Sequence, residues 1–324
     1  MTVIPALPPL PPLPEDTGYS APVPRELVHK AAHSEVLLTG WRQCGGAEFE
    51  VGAQWPRDHG FWRTGSDGEQ DPMLLVETTR QVLPLLSHAA FGVPKGHQLI
   101  WDHYQCRFAA PFIQVSDRPA EVTVRLVASQ APGRARRLRK LSLRMTLSSA
   151  GRTLGTASTL FSAHSPEVYA RLRGPNTREP EAVTAAVPRP PAPVAPALVG
   201  RESEREVVLA PAAEPGSWQL RILTSSPWLF DHPVDHAPGM LLMEAARQGA
   251  RLAEPGQQLR LTCLAAEFHR YVDLDAPSLV RAFPAPAAPD GERRLKVTLT
   301  QHGQEAFAAT VGIAADVRDT ARLR

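Results

Sequence analysis

The segment DPMLLVETTRQ at 71–81 returns as PGMLLMEAARQ at 238–248. Both copies share the skeleton Met-Leu-Leu-x-Glu-x-x-Arg-Gln, an apolar helical stretch carrying a carboxylate and a guanidinium at fixed places. Such recurrence predicts two tandem units that offer the same chemistry twice. A chain of 324 residues is long enough to give each unit its own core.

The duplication extends well beyond the helix. EVLLT at 35–39 matches EVVLA at 206–210, and FEV at 49–51 matches LRI at 220–222, all alternating as strands do. A loop rich in Pro, Asp, His and aromatics follows, WPRDHGFW at 55–62 against SPWLFDHPVDHAPG at 226–239. Pro72 and Pro238 then suit a first helical turn. Beyond the helices, GHQL at 96–99 answers GQQL at 256–259, leading into strands that end at Phe108 and Phe268. LRMTLSSAGRTLGTASTLF at 143–161 matches LKVTLTQHGQEAFAATVGI at 295–313, two strands joined by a turn at Gly151 or Gly303. Each half therefore reads strand, strand, loop, long helix and three closing strands. One apolar helix beside a mostly antiparallel sheet must be wrapped by that sheet to bury its stripe. The expected fold is α+β: two hot-dog units, each a curved antiparallel sheet around a central helix, packed as an internal pseudo-dimer. The boundaries expected are a Pro-rich arm at 1–24, a first unit at 25–165, a Pro-rich linker at 166–200 and a second unit at 201–318.

Composition narrows the function classes. With 43% hydrophobic and 21% charged residues and a net charge of +2, nothing marks a nucleic-acid binder. The basic run RARRLRK at 134–140 passes into an alternating strand and reads as a solvated hairpin edge. Cys44, Cys106 and Cys263 are scattered, so a disulfide or zinc framework is not expected and a reducing cytoplasm is the simplest home. Neither a leader nor an apolar run of membrane-spanning length is visible. The 33 prolines cluster: PALPPLPPLP at 5–14 reads as a polyproline arm, and the cluster at 174–197 as a semi-rigid spacer unable to build a core.

Helical geometry sets Glu77 on one stripe with Met73, Leu74, Arg80 and Gln81, and Glu244 with Met240, Leu241, Arg247 and Gln248. A solvated Glu–Arg pair is the plain reading of either copy alone. Recurrence in the same register favours carboxylates desolvated within a site, each restrained by its arginine. Asp231, His232, Asp235 and His236 crowd ahead of the second helix, where a histidine suits acid–base or orienting work. Loop histidines bonded to backbone remain the alternative, and no third ligand cluster supports a metal. The first half offers Asp58 and His59 in the matching loop. Gly239 aligns with Pro72, which has no N–H. The better oxyanion pocket is therefore expected at Gly239 and the adjacent Met240.

HPVDHAPGMLLMEAARQ resembles the His loop and Pro-Gly helix of β-hydroxyacyl-carrier-protein dehydratases, although their helix lacks Glu-x-x-Arg. A closer resemblance covers almost the whole chain. At LVHKAAHSEVLLTGW (27–41), WPRDH (55–59), DPMLLVETTRQ (71–81), GVPKGHQ (92–98) and FDHPVDHAPGMLLMEAARQ (230–248) it resembles the A-factor-type γ-butyrolactone biosynthesis family of actinomycetes. That resemblance implies transfer of a β-ketoacyl group from acyl-carrier protein to the hydroxyl of dihydroxyacetone phosphate, with no cofactor. It also implies functional roles for Glu77, Glu244 and Arg247.

The mechanism expected is direct transfer, with a helix glutamate as base, Arg247 with Arg80 on the phosphate, and His59 and His232 as further candidates. By analogy with paired hot-dog units, Gly239 and His232 should face Glu77 across the pseudo-dimer. A monomeric pseudo-dimer and a homodimer are both compatible with this arrangement. The rival readings are a hydratase or dehydratase on acyl thioesters and a non-catalytic acyl- or lactone-binding regulator.

Overall fold

The computed structural model describes residues 18–65, 67–130, 139–255, 259–286 and 292–315. The proline run at 5–14, residues 134–138 of the basic segment and the Gly-Gln-Gln of GQQL lie outside them. The first half contributes β1 (Leu38–Gly45), β2 (Glu48–Trp55), α1 (Met73–Ala89), β3 (Gln98–Phe108), β4 (Ala120–Gln130), β5 (Arg139–Ser149) and β6 (Arg152–His164). Two short helices follow, α2 (Pro166–Arg173) and α3 (Pro180–Ala186). The second half repeats the pattern as β7 (Leu209–Pro211), β8 (Ser217–Leu220), α4 (Gly239–Ala253), β9 (Leu259–Phe268), β10 (Ser278–Ala285), β11 (Arg293–Gln301) and β12 (Gln304–Ala315).

The twelve strands of the described residues form one sheet in the order β1-β2-β4-β5-β6-β3-β9-β12-β11-β10-β8-β7. Read from either end, that order is the same list of equivalent strands. Its centre is the antiparallel β3–β9 seam, from His103↔Glu267 to Arg107↔Cys263. Tyr104 and Cys106 turn inward there, while His103, Gln105 and Arg107 face out, the two-residue alternation of a strand with one wet face. Helix α1 lies against β1, β2, β3 and β6, and α4 against β7, β10, β11 and β12. Only Arg80, His88 and Ala89 of α1 escape full burial, as expected for a helix enclosed rather than laid on a surface. One hydrophobic cluster, from Val28 through Trp55 and Leu75 to Leu241 and Val297, runs through both halves.

The double hot-dog architecture is present, with differences in detail. Each half closes with four strands, not three: β4 and β10 insert between the central helix and the terminal hairpin. Strand β5 pairs with both β4 and β6, so it is interior rather than an edge; Arg144 is nevertheless exposed. Strand β8 stops at Leu220 because Arg221 turns inward, donating to the carbonyls of Pro191, Glu204 and Val207. The cluster at 174–197 is more than a spacer, since Val183 and Val194 are buried in the folded body.

Candidate active site

Two related sites arise where the start of one central helix approaches the middle of the other. The first is a cavity of about 210 Å³ that joins Lys30, Glu77 and Arg80 of the first half to His232, His236 and Gly239 of the second. Glu77 is 2% exposed. Its carboxylate accepts from Arg80 Nε at 2.9 Å and Nη2 at 2.8 Å and from Gln81 at 2.8 Å. Lys30 Nζ lies 3.1 Å away. Burial alone would raise this carboxyl, but the Arg80 and Lys30 cations and the hydrogen bonds outweigh it and hold it at about 2. A carboxylate so stabilised is a poor acceptor for an alcohol proton. The general-base role expected for a helix glutamate therefore does not fit Glu77, which instead fixes two cations in place.

The turn carrying Lys30 is held from the opposite half. Asp231 accepts from the amides of Ala31 and Ala32, so this acid is a backbone clamp. His232 stands at the rim, its Nδ1 3.6 Å from Asp231. His236 Nδ1 lies 2.6 Å from Asp235 Oδ1. Asp235 also accepts from the Tyr169 hydroxyl at 2.7 and 2.8 Å and from Arg173 Nε at 3.3 Å. Burial pushes Asp235 up, yet His236, Tyr169 and Arg173 bring it down to about 2.

Gly239 opens α4, and the first intrahelical bonds run from Leu241 and Leu242 to the Pro238 carbonyl. The Gly239 and Met240 amides thus have no intrahelical acceptor, as the first turn of any helix requires. A β-carbon at Gly239 would lie 2.5 Å from the Trp101 ring, so only glycine lets the β3 indole close over this helix start.

His59 is placed differently. It is buried, and its Nδ1 accepts from the amides of Phe61 and Trp62 at 3.1 Å each, while Nε2 faces Glu35 at 3.6 Å. It lies outside the cavity lining and shapes the loop, which corrects its reading as a catalytic candidate. Gln81 and Gln248 are also structural braces: each side chain bonds one carbonyl and one amide of the chain entering β1 or β7, through Glu35 and Leu37 or Glu206 and Val208.

The second site keeps the skeleton, beside a larger cavity of about 680 Å³ lined by Asp71, Pro72, Arg201, Arg247 and Arg251, but commits its charges to one another. Glu244, fully buried, accepts from Arg201 Nη2 at 2.7 Å, Arg247 Nε at 3.0 Å and Gln248 at 2.7 Å. Arg247 Nη2 lies 2.8 Å from Glu244, and its Nη1 binds both oxygens of Asp71 at 2.7 and 2.8 Å. Asp71 is held below the ordinary carboxylate range: burial opposes ionisation, but Arg247 and Arg201 prevail. All three guanidinium nitrogens of Arg247 are engaged by Glu244 and Asp71, so a phosphate bound there, as expected for this residue, competes with two buried acids. In the first site Pro238 stands where Asp71 stands in the second, and no described group bonds Arg80 Nη1. Aligning LVHK at 27–30 with LVGR at 198–201 pairs Lys30 with Arg201 and His29 with Gly200. Both latter residues adopt left-handed backbone, with φ of 53° and 66°.

Sequence reasoning missed Lys30, Asp71, Arg201, Tyr169 and Arg173. A basic residue in the same register of LVHK and LVGR was the signal for two of them. Tyr169 and Arg173 left no comparable trace. Among the described residues, no group of three or more His, Cys, Asp or Glu side chains is arranged to hold a metal ion. No described helix is long and apolar enough to cross a membrane.

The A-factor biosynthesis hotdog domain matches this chain twice, over residues 13–165 and 183–315. A protein of Streptomyces virginiae named 2-oxo-3-(phosphooxy)propyl 3-oxoalkanoate synthase is 44% identical, over 90% of this chain and 97% of its own length. Synthases of the same name from Streptomyces coelicolor and Streptomyces griseus are 35% and 30% identical, each over 90% of this chain and over 91% and 95% of their own lengths. Among solved structures, one assigned as an oleoyl thioesterase from Lactobacillus plantarum aligns with a TM-score of 0.50 at 10% identity, covering 84% of this chain and 98% of its own, a likeness of fold. The chain belongs to the A-factor biosynthesis hotdog domain family.

Proposed function

We propose that this chain is an acyltransferase that joins a β-ketoacyl group, delivered as a thioester on acyl-carrier protein, to the hydroxyl of dihydroxyacetone phosphate. The ester belongs to the biosynthesis of a γ-butyrolactone or furan-type signal. The relatives' shared name describes a phosphate-bearing three-carbon ketone joined to a 3-oxoacyl group. The observation that carries the reading is the inequality of the two sites. Among the described residues, the first combines Arg80 Nη1, two free helix-start amides and loop histidines at one cavity, whereas at the second helix start Pro72 has no N–H and the Met73 amide is taken by Asp71.

Arg80 Nη1 and Lys30 are suited to hold the phosphate, a task in which a planar guanidinium gives directional bonds and the ammonium adds charge. Glu77 keeps both cations aimed and remains ionised while doing so. The thioester carbonyl fits against the Gly239 and Met240 amides, where the helix dipole and two N–H groups stabilise the oxyanion; one such donor is typically worth ~3 kcal/mol. Leu83, Leu99, Trp101 and Leu229 supply an apolar wall for the acyl chain. Holding alcohol and thioester together accounts for much of the remaining acceleration.

Purified protein incubated with dihydroxyacetone phosphate and a 3-oxoacyl thioester, on carrier protein or on coenzyme A, should yield the phosphorylated ester by mass spectrometry, with one free thiol per ester. Release of free 3-oxo acid alone would make the protein a thioesterase. Water loss from a 3-hydroxyacyl thioester, without ester formation, would make it a dehydratase.

A further inference from the structure

His236 lies three residues ahead of the α4 start and lines the same cavity as Gly239 and Glu77. Its Nδ1 faces an ionised Asp235 at 2.6 Å, which fixes Nδ1 as the protonated nitrogen. Nε2, on the opposite edge of the ring, keeps its lone pair, and no described residue bonds it. The ring is further confined by Tyr271, which meets it edge to face at 4.9 Å.

Asp235 is in turn positioned by the segment that joins the two halves. Tyr169 and Arg173 of α2 reach it, and Arg173 Nη2 continues to the Asp235 carbonyl at 3.0 Å and to Asp273 at 2.9 Å. Arg173 is almost wholly buried and also lies over the Tyr271 ring. Asn176 braces the far oxygen of Asp273 at 3.0 Å. A base held by a carboxylate, itself held by further groups, is the pattern of an activated acid–base pair. Among the described residues the second site has no such histidine: Glu69 occupies the matching position and accepts from the Phe112 amide.

We propose that His236 is the proton-transfer residue of the acyl transfer, with Asp235 as its orienting partner and Tyr169 and Arg173 of the interdomain segment as positioning residues. This assignment rests on the acyl-transfer reading above. The hydroxyl proton passes to His236 Nε2 as the alcohol oxygen bonds to the thioester carbon. The oxyanion then collapses, the C–S bond breaks, and the same Nε2–H returns the proton to the departing sulfur. Charge and atoms balance with no further reactant.

The test is steady-state ester formation by the full chain and its variants, with folding followed by circular dichroism. Wild-type protein forming no ester would sink the acyl-transfer reading itself and is scored first. With active wild type, His236→Asn retains an amide donor toward Asp235 but deletes Nε2. It should fold normally and lose at least ~10²-fold in kcat. His236→Ala should recover part of its activity with added imidazole. Tyr169→Phe and Asp235→Asn should lower kcat several-fold with KM for dihydroxyacetone phosphate unchanged. A folded His236→Asn variant within threefold of wild-type kcat would overturn the proposal. So would Asp235→Asn and Tyr169→Phe effects confined to KM and thermal midpoint.

Discussion

Glu77 and Glu244 are the same residue of the same repeat, and their neighbours give them different duties. Glu77 balances Lys30 and Arg80; Glu244 shares Arg201 and Arg247 with a second acid, Asp71. Removing one member of a buried ion network leaves the others uncompensated, at a typical cost of ~3 kcal/mol or more. Glu77→Gln is therefore expected to lower the urea midpoint and to raise KM for the phosphate-bearing acceptor, because Lys30 and Arg80 lose their anchor. Glu244→Gln should cost comparable stability while leaving that KM nearly unchanged, which the same two assays read out. Glu77 also sets a pH dependence. Its folded pKa lies below the unfolded one, so the stability it contributes is complete above the ordinary 4.5 and disappears as pH falls toward about 2. Acid unfolding curves of wild type and Glu77→Gln should converge through that window. Equal separation at pH 7 and pH 2 would contradict the ionised anchor.

At the scale of elements, the paired hairpins show why the duplication was readable. Ser149↔Arg152 and Gln301↔Gln304 each close a two-residue turn. Both turns place two consecutive residues at positive φ, Ala150–Gly151 and His302–Gly303, the geometry that matches strand twist. Gly151→Ala should cost ~1 kcal/mol, because a β-carbon at φ 77° is strained; calorimetry on the purified variant measures it. Helix stripe, hairpin turn and repeat spacing are local patterns, so α1, α4 and the β5–β6 and β11–β12 hairpins could be read directly. Strand β10, with Pro284 and few alternating apolar residues, carries little signal, and β4 has no clear match in it, so a search by repeat passed over both. The site was legible where the repeat held, at Glu77 and Arg80, and where it broke within a clear register, at Gly239 against Pro72. Where a residue's duty depends on a distant partner it was not: nothing local in Tyr169 or Arg173 announces Asp235, and His59 resembles a site residue until its backbone partners are known.

Across the whole molecule, a nearly symmetric sheet supports unsymmetric chemistry. The palindromic strand order and the shared Gln–backbone braces keep the two helices in equivalent poses. The first site offers the free amides of a helix start to its cavity, while in the second Asp71 stands at that helix start and binds Arg247. Isothermal titration with dihydroxyacetone phosphate should therefore give one binding event per chain; two equivalent events would contradict the inequality. The first cavity draws lining from both halves, so either half expressed alone should fail to bind, and co-expression of both should restore binding.

The peptide between the halves has a consequence for how such a protein can change. In an assembly of two identical chains, every substitution appears at both catalytic mouths, and none can be specialised without altering its twin. Covalent continuity frees each mouth to accumulate its own mutations. Proline and aspartate at one helix entrance, glycine and histidine at the other, are divergence that an exact homodimer could never record.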